Sequence, residues 1–81
     1  MLSIKVLGPG CSNCHAVEQL AQQAVKYLGE EAVIEKITAV PEIAKYRILA
    51  TPGLVINEKV VCAGRIPTPA EVTTWITNAL V

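Results

Sequence analysis

The sequence predicts an α/β fold, a four-stranded mixed sheet flanked by three helices in the order βαβαββα. Two observations carry this reading. Short runs of branched apolar residues end at glycine, proline or asparagine, as strands do. Between and after them the apolar residues step by threes and fours, as on one face of a helix. Strand, helix, strand at the start implies a parallel pair joined by a right-handed crossover. A later hairpin adds antiparallel strands to the same sheet, and helices are expected on both faces.

The first strand is Leu2 to Leu7, ended by Gly8-Pro9-Gly10. From Cys14 the pattern is helical: Cys14, Val17, Ala21, Ala24, Val25 and Leu28 share one face, leaving Glu18, Gln22 and Lys26 for water. Gly29 ends this helix, because glycine takes the left-handed cap conformation at little steric cost. Ala32 to Ile37 is the second strand. Pro41 suits a first helical turn, where its missing N–H is no loss. That helix is expected to run through Ile43, Ala44, Tyr46 and Ile48 and to stop before Thr51-Pro52, since a residue preceding proline is pushed out of helical geometry. Leu54-Val55-Ile56 and Val60-Val61-Cys62 flank Asn57-Glu58-Lys59 as a hairpin. Thr68-Pro69-Ala70-Glu71 is a capping box, and Val72, Trp75, Ile76, Ala79 and Leu80 give the last helix its apolar face.

The chain has 81 residues, enough for one small domain spanning 1–81. Hydrophobic residues are 52% and charged residues 17%, too apolar for disorder. With no Phe, one Trp and two Tyr, the core must be built of Val, Ile, Leu and Ala. Seven basic residues balance seven acidic ones, which argues against nucleic acid as a partner because phosphate binding needs a basic surplus. No apolar run approaches the roughly 18 residues of a membrane span, and Met1-Leu2-Ser3-Ile4-Lys5 does not read as a signal peptide. A cytoplasmic monomer with no membrane partner is expected.

The chemistry concentrates in Gly10-Cys11-Ser12-Asn13-Cys14, at a strand end and helix start. Three cysteines, two of them close together, do not make a secreted disulfide scaffold. At a helix N-terminus the unpaired backbone N–H groups and the positive end of the dipole stabilise an anion, so the Cys11 thiol should ionise more readily than a free one. Cys14, one turn further in, faces the apolar side. The pair is therefore asymmetric, an exposed attacking sulfur and a shielded resolving one. A lowered pKa raises the thiolate fraction but lowers intrinsic nucleophilicity, leaving a net gain of only about 3-fold. The helix end serves as much to make Cys11 a good leaving group and to set the redox potential. Thr51-Pro52-Gly53 is either a plain helix terminator or a cis-proline loop whose backbone pairs with an extended substrate.

Together these residues resemble the thioredoxin-like superfamily, and most nearly its small glutaredoxin-like "redox-active disulfide" proteins of archaea and bacteria. The resemblance runs over nearly the whole chain. It rests on Cys11-x-x-Cys14 after the first strand, Thr51-Pro52 before a strand, the Leu54-Val55-Ile56-Asn57 hairpin, and Ala63-Gly64-Arg65 before the final helix. The intervening Ser12-Asn13 differs from the Gly-Pro of thioredoxins and the Pro-Tyr of glutaredoxins. The resemblance implies a thioredoxin/glutaredoxin-like fold and a thiol–disulfide oxidoreductase. It implies Cys11 as nucleophile, Cys14 as resolving thiol, a cis Pro52, Thr51 against the substrate backbone, and Gly64 keeping the groove open. Expected partners are disulfide-containing proteins and a separate reductase or small thiol. No cofactor is needed, because the sulfurs carry the electrons.

Two other chemistries fit parts of the motif. Cys11-x-x-Cys14-His15 spells a haem c attachment sequence, but the chain has no second His and no Met other than Met1 to supply another axial ligand. Two thiolates also suit Cu(I), and Cys62 or His15 would give a third ligand for zinc. Small copper carriers, however, follow a βαββαβ order and end in a strand, where this chain ends in a capped helix. Cys62 reads as a buried thiol, Tyr46 and Trp75 as core anchors, and His15 as a polar residue of the first turn. Lys5, inside the first strand, has to reach an edge or a partner.

Overall fold

Alternating apolar residues in short branched segments place one strand face on a core, and helical repeats of apolar residues supply the cover. The computed structural model describes residues 2–8, 12–48 and 50–80. In chain order they form β1 (Leu2–Leu7), α1 (Ser12–Leu28), β2 (Ala32–Ile37), α2 (Val40–Ala44), β3 (Gly53–Ile56), β4 (Lys59–Ala63) and α3 (Pro69–Ala79). The four strands make one mixed sheet in the order β2-β1-β3-β4. β1 runs parallel to β2, Leu2 opposite Ala32 and Leu7 opposite Ile37, and antiparallel to β3, with Ile4 opposite Ile56. The expected order, parallel pair and hairpin are therefore present, and the fold is α/β with three helices on a mixed sheet.

The central position of β1 buries it on both sides. Leu2, Ile4 and Val6 point into a core shared with Val17, Ala21 and Ala24 of α1, Leu54 and Ile56 of β3, and Val72 and Ile76 of α3. Leu7 and Val55 point the other way, where Ile43 of α2 covers them with help from Ile37, Tyr46 and Ile48. Trp75 packs on the edge of the first core and Tyr46 on the edge of the second, as anchors.

The local chemistry accounts for the ends of the elements. Gly29 takes φ +68°, and the Glu30 N–H reaches back to the Val25 carbonyl at 3.1 Å, closing α1. Thr68 Oγ1 accepts from the Glu71 N–H at 3.2 Å while the Glu71 carboxylate accepts from the Thr68 N–H at 3.0 Å, so the capping box is complete. The hairpin turn is tighter than expected. Asn57 and Glu58 both have positive φ (49° and 68°), the two-residue turn whose twist matches that of its strands, and Lys59 already belongs to β4. One residue is left over in β4: Leu54 faces Cys62 while Val55 faces Val60, so Val61 forms a bulge.

α2 corrects the sequence reading. It ends at Ala44 instead of running through Tyr46 and Ile48, and Arg47 takes φ +57°. A five-residue helix has little stability of its own, so packing decides where it stops. The left-handed turn at Arg47 swings Ile48 onto the second core and against Gly53, where an added Cβ would stand 2.9 Å from Ile48 Cδ1.

Candidate active site

The C-terminal ends of β1 and β2, the start of α1 and the loops flanking β3 and β4 meet at one end of the sheet. Cys11, Pro9 and Gly10 lie outside the described residues. Cys14 is in the first turn of α1, 4% exposed, as expected for the shielded member of the pair. That first turn carries no acidic side chain, so nothing on it offsets the positive end of the helix dipole.

Gly8 explains how a buried sulfur fits there. A Cβ on this residue would collide with Cys14 Sγ and would stand 3.3 Å from Cys14 Cβ and 3.8 Å from Thr51 Cβ. The Gly8 N–H donates to the Ile37 carbonyl at 2.9 Å, which pins the end of β1 to β2 while its bare α-carbon admits the sulfur. The sequence marks Gly8 only as a strand terminator. Its position directly after an apolar strand and shortly before the cysteine motif was the available signal for a close backbone approach.

Thr51 lies on the same side of Gly8 as the sulfur, its Cβ 3.8 Å from where a Gly8 Cβ would stand. The Thr51–Pro52 peptide is cis, Thr51 is exposed and Pro52 is buried. Gly64 lies alongside: its N–H donates to the Pro52 carbonyl at 2.8 Å. Its φ of +80° favours glycine, and a Cβ there would approach Ala50 Cβ to 3.3 Å. The structure thus brings Cys14 and Thr51 together around Gly8, and Gly64 next to Pro52. Arg65, next in the chain, makes a bidentate pair with Glu71 at 2.9 and 2.8 Å. The Arg65 guanidinium, with the Thr68 N–H, holds the Glu71 carboxyl down at about 2, well below the usual carboxylate range. Cys62 is buried, and its thiol donates to the Arg65 carbonyl at 3.6 Å.

Glu18 departs from its expected role. Its side chain is only 18% exposed, and one carboxylate oxygen lies 3.7 Å from both His15 Nδ1 and Lys36 Nζ. His15 and Lys36 also line a cavity of about 80 Å³ against Cys14, closed by Val6, Gly8 and Thr38. A larger groove of about 640 Å³ runs between α1 and α3 past Leu20, Tyr27 and Thr73, well along α1 from the cysteine, and its walls carry no acid, histidine or thiol.

A family model described as a thioredoxin domain matches residues 2–77. The chain belongs to the thioredoxin-domain family. Among its relatives, a protein named thioredoxin from Methanothermobacter thermautotrophicus is 36% identical over 72 residues, covering 89% of this chain and 94% of that protein. A protein named thioredoxin from Methanocaldococcus jannaschii is likewise 36% identical over 72 residues, 89% of this chain and 83% of that one. Within this thioredoxin domain no described helix is long and apolar enough to cross a membrane.

Proposed function

We propose that this thioredoxin-like redox protein is a thiol–disulfide oxidoreductase that reduces disulfides of other proteins through Cys11 and Cys14. The observation that carries the reading is the setting of Cys14, a sulfur buried in the first turn of α1, fitted against Gly8 and next to exposed Thr51. The family match over residues 2–77 and the two relatives named thioredoxin support it.

In the reaction Cys11, as thiolate, attacks one sulfur of the substrate disulfide. The first substrate sulfur leaves as a thiolate and takes a proton from water, and a mixed disulfide joins Cys11 to the second. Cys14, having lost its proton, attacks Cys11 Sγ and expels the second substrate thiolate. Two electrons pass to the substrate, which ends as two thiols, while Cys11 and Cys14 end as a disulfide. A separate reductase or small thiol returns them to the dithiol. An extended substrate segment lies along Thr51 and Pro52, and Gly64 leaves the space for it. No metal or organic cofactor is required, and the chain works as one domain in the cytoplasm.

Cys11→Ser is expected to abolish reduction of a protein disulfide, and Cys14→Ser to accumulate mixed disulfides with it. Equal activity in the two variants would overturn the assigned roles. A redox titration should give one two-electron couple, in the range of about −200 to −270 mV.

A further inference from the structure

The resolving step needs a proton acceptor for Cys14. Cys14 must lose a proton before it can attack, yet it is 4% exposed, and in an apolar setting a thiol resists ionisation. Among the described residues a cavity of about 80 Å³ adjoins it, lined by Val6, Gly8 and Thr38 and by two polar walls, His15 and Lys36. Such a volume accommodates on the order of two water molecules. Val6 and Lys36 are directly paired in the sheet, so Lys36 rises on the same face as Val6, toward α1. Glu18 ties the two polar walls together, its carboxylate 3.7 Å from the imidazole and 3.7 Å from the ammonium.

Resting on the oxidoreductase reading, the geometry points to this cavity as the proton port of Cys14: His15 accepts the Cys14 proton, directly or through one water, while Glu18 and Lys36 position and balance it. Histidine is the side chain that takes up and releases a proton near neutral pH. As Cys14 attacks, the proton moves to the imidazole, which Glu18 holds in place from 3.7 Å. Lys36 places a positive charge on the far wall, which favours the forming thiolate. The imidazolium then returns its proton to solvent, to which His15 is 59% exposed.

Among the described residues, the other charged groups of the neighbouring elements face elsewhere or are paired. On β1, Lys5 points to the opposite face of the sheet, to Tyr46 and Glu58. On β2, Glu35 is paired across the sheet with Lys5 and shares that opposite face. Near α3, Arg65 and Glu71 satisfy each other, and Cys62 is turned to the Arg65 carbonyl. In the loop through Thr51, Lys45 pairs with Glu42 and Tyr46 with Lys5 on the α2 side, and residues 48–53 bring no titratable side chain. His15, Glu18 and Lys36 are thus the ionisable groups that face this side of Cys14 among the described residues.

The test uses the whole chain with Cys62→Ala and an aromatic disulfide reagent, dithiobis-nitrobenzoate, which releases one coloured thiolate when Cys11 attacks and a second when Cys14 resolves. With His15→Gln the ratio of second-phase to first-phase rate at neutral pH is expected to fall at least about tenfold. Its second phase should then rise steadily with hydroxide, where the parent levels off. Glu18→Gln should lower the ratio of second-phase to first-phase rate, because the imidazole loses the carboxylate that positions it. An unchanged phase ratio in His15→Gln, both phases slowing equally, or an unchanged phase ratio in Glu18→Gln would each overturn the proposal. Circular dichroism identifies a variant that has lost its fold, for which His15→Asn serves as the second substitution. If the parent itself releases no second equivalent, it is the oxidoreductase reading that fails.

Discussion

The two faces of the sheet are built differently. The face under α1 and α3 has an apolar centre, with Ile4, Val6, Leu54, Ile56, Val17, Val72 and Ile76 each at most 2% exposed, and its charge, Lys36 with Glu18, lies at the β2 edge. Among the described residues the face under α2 has a smaller buried hydrophobic cluster, Leu7, Val55 and Ile43, and carries Lys5 in the middle of the central strand. Two full helices exclude water from a four-stranded sheet, whereas a five-residue helix does not. The uncovered part accepts a long charged side chain whose stem lies on the apolar surface while its head reaches the rim. There Lys5 Nζ donates to Glu58 Oε1 at 2.6 Å and to the Tyr46 hydroxyl at 3.0 Å, and sits 5.7 Å from the Tyr46 ring centre. Close packing is thus reserved for the face that holds Cys14, and adaptability for the other.

The largest test of this contrast is paired. Ile4→Ala, in the well-covered core, is expected to cost about 4 kcal/mol, and Ile43→Ala, under α2, about 2 kcal/mol. A small domain has on the order of 5–10 kcal/mol in total, so the first variant approaches unfolding at ambient temperature. Urea denaturation measures both, and equal losses would remove the distinction between the faces.

Gly8→Ala sharpens it at the site. The added methyl group meets the Cys14 sulfur on the closely packed face, and overpacking there should cost about 2 kcal/mol by the same measurement. A cost near zero would mean that Cys14 can move aside freely.

A smaller effect appears in acid. Because Arg65 and the Thr68 N–H hold the folded Glu71 carboxyl at about 2, its contribution to stability is complete above the unfolded value of 4.5 and is lost as pH falls from there toward about 2. Glu71→Gln should flatten that part of a stability-against-pH curve, and an unchanged slope would remove the pair from the account of acid sensitivity.

The smallest effect is expected from Lys5→Met. The Glu58 hydrogen bond, followed by that to Tyr46, raises the Lys5 ammonium above its ordinary range, so its contribution is complete below that range and is lost only as pH rises through the raised value. The same bond lowers the Glu58 carboxyl. Between those limits, thermal melts of Lys5→Met and the parent should differ by a small, constant amount. A large loss would show that the face under α2 depends on its charge as much as the other depends on its packing.

Much of this was legible in the residues because its causes are local. Strand period, a glycine after α1 and the reciprocal cap from Thr68 to Glu71 act over a few residues, and β1, β2 and the start of α3 lie where those signals put them. The cysteine motif at a strand-to-helix junction marked the candidate site for the same reason. Contacts between distant segments were not legible. Lys5 meets Glu58 across 53 residues of chain, Glu18 meets Lys36 only because a parallel crossover lays β2 beside β1, and Gly8 matters because Cys14 turns back onto it. Even α2 stops where Ile48 finds the second core, not where its own residues cease to favour a helix. Local chemistry chose the elements and their order, since backbone geometry responds to near neighbours. The surroundings of the buried sulfur and the central lysine came from packing, since only the assembled sheet brings their partners within reach.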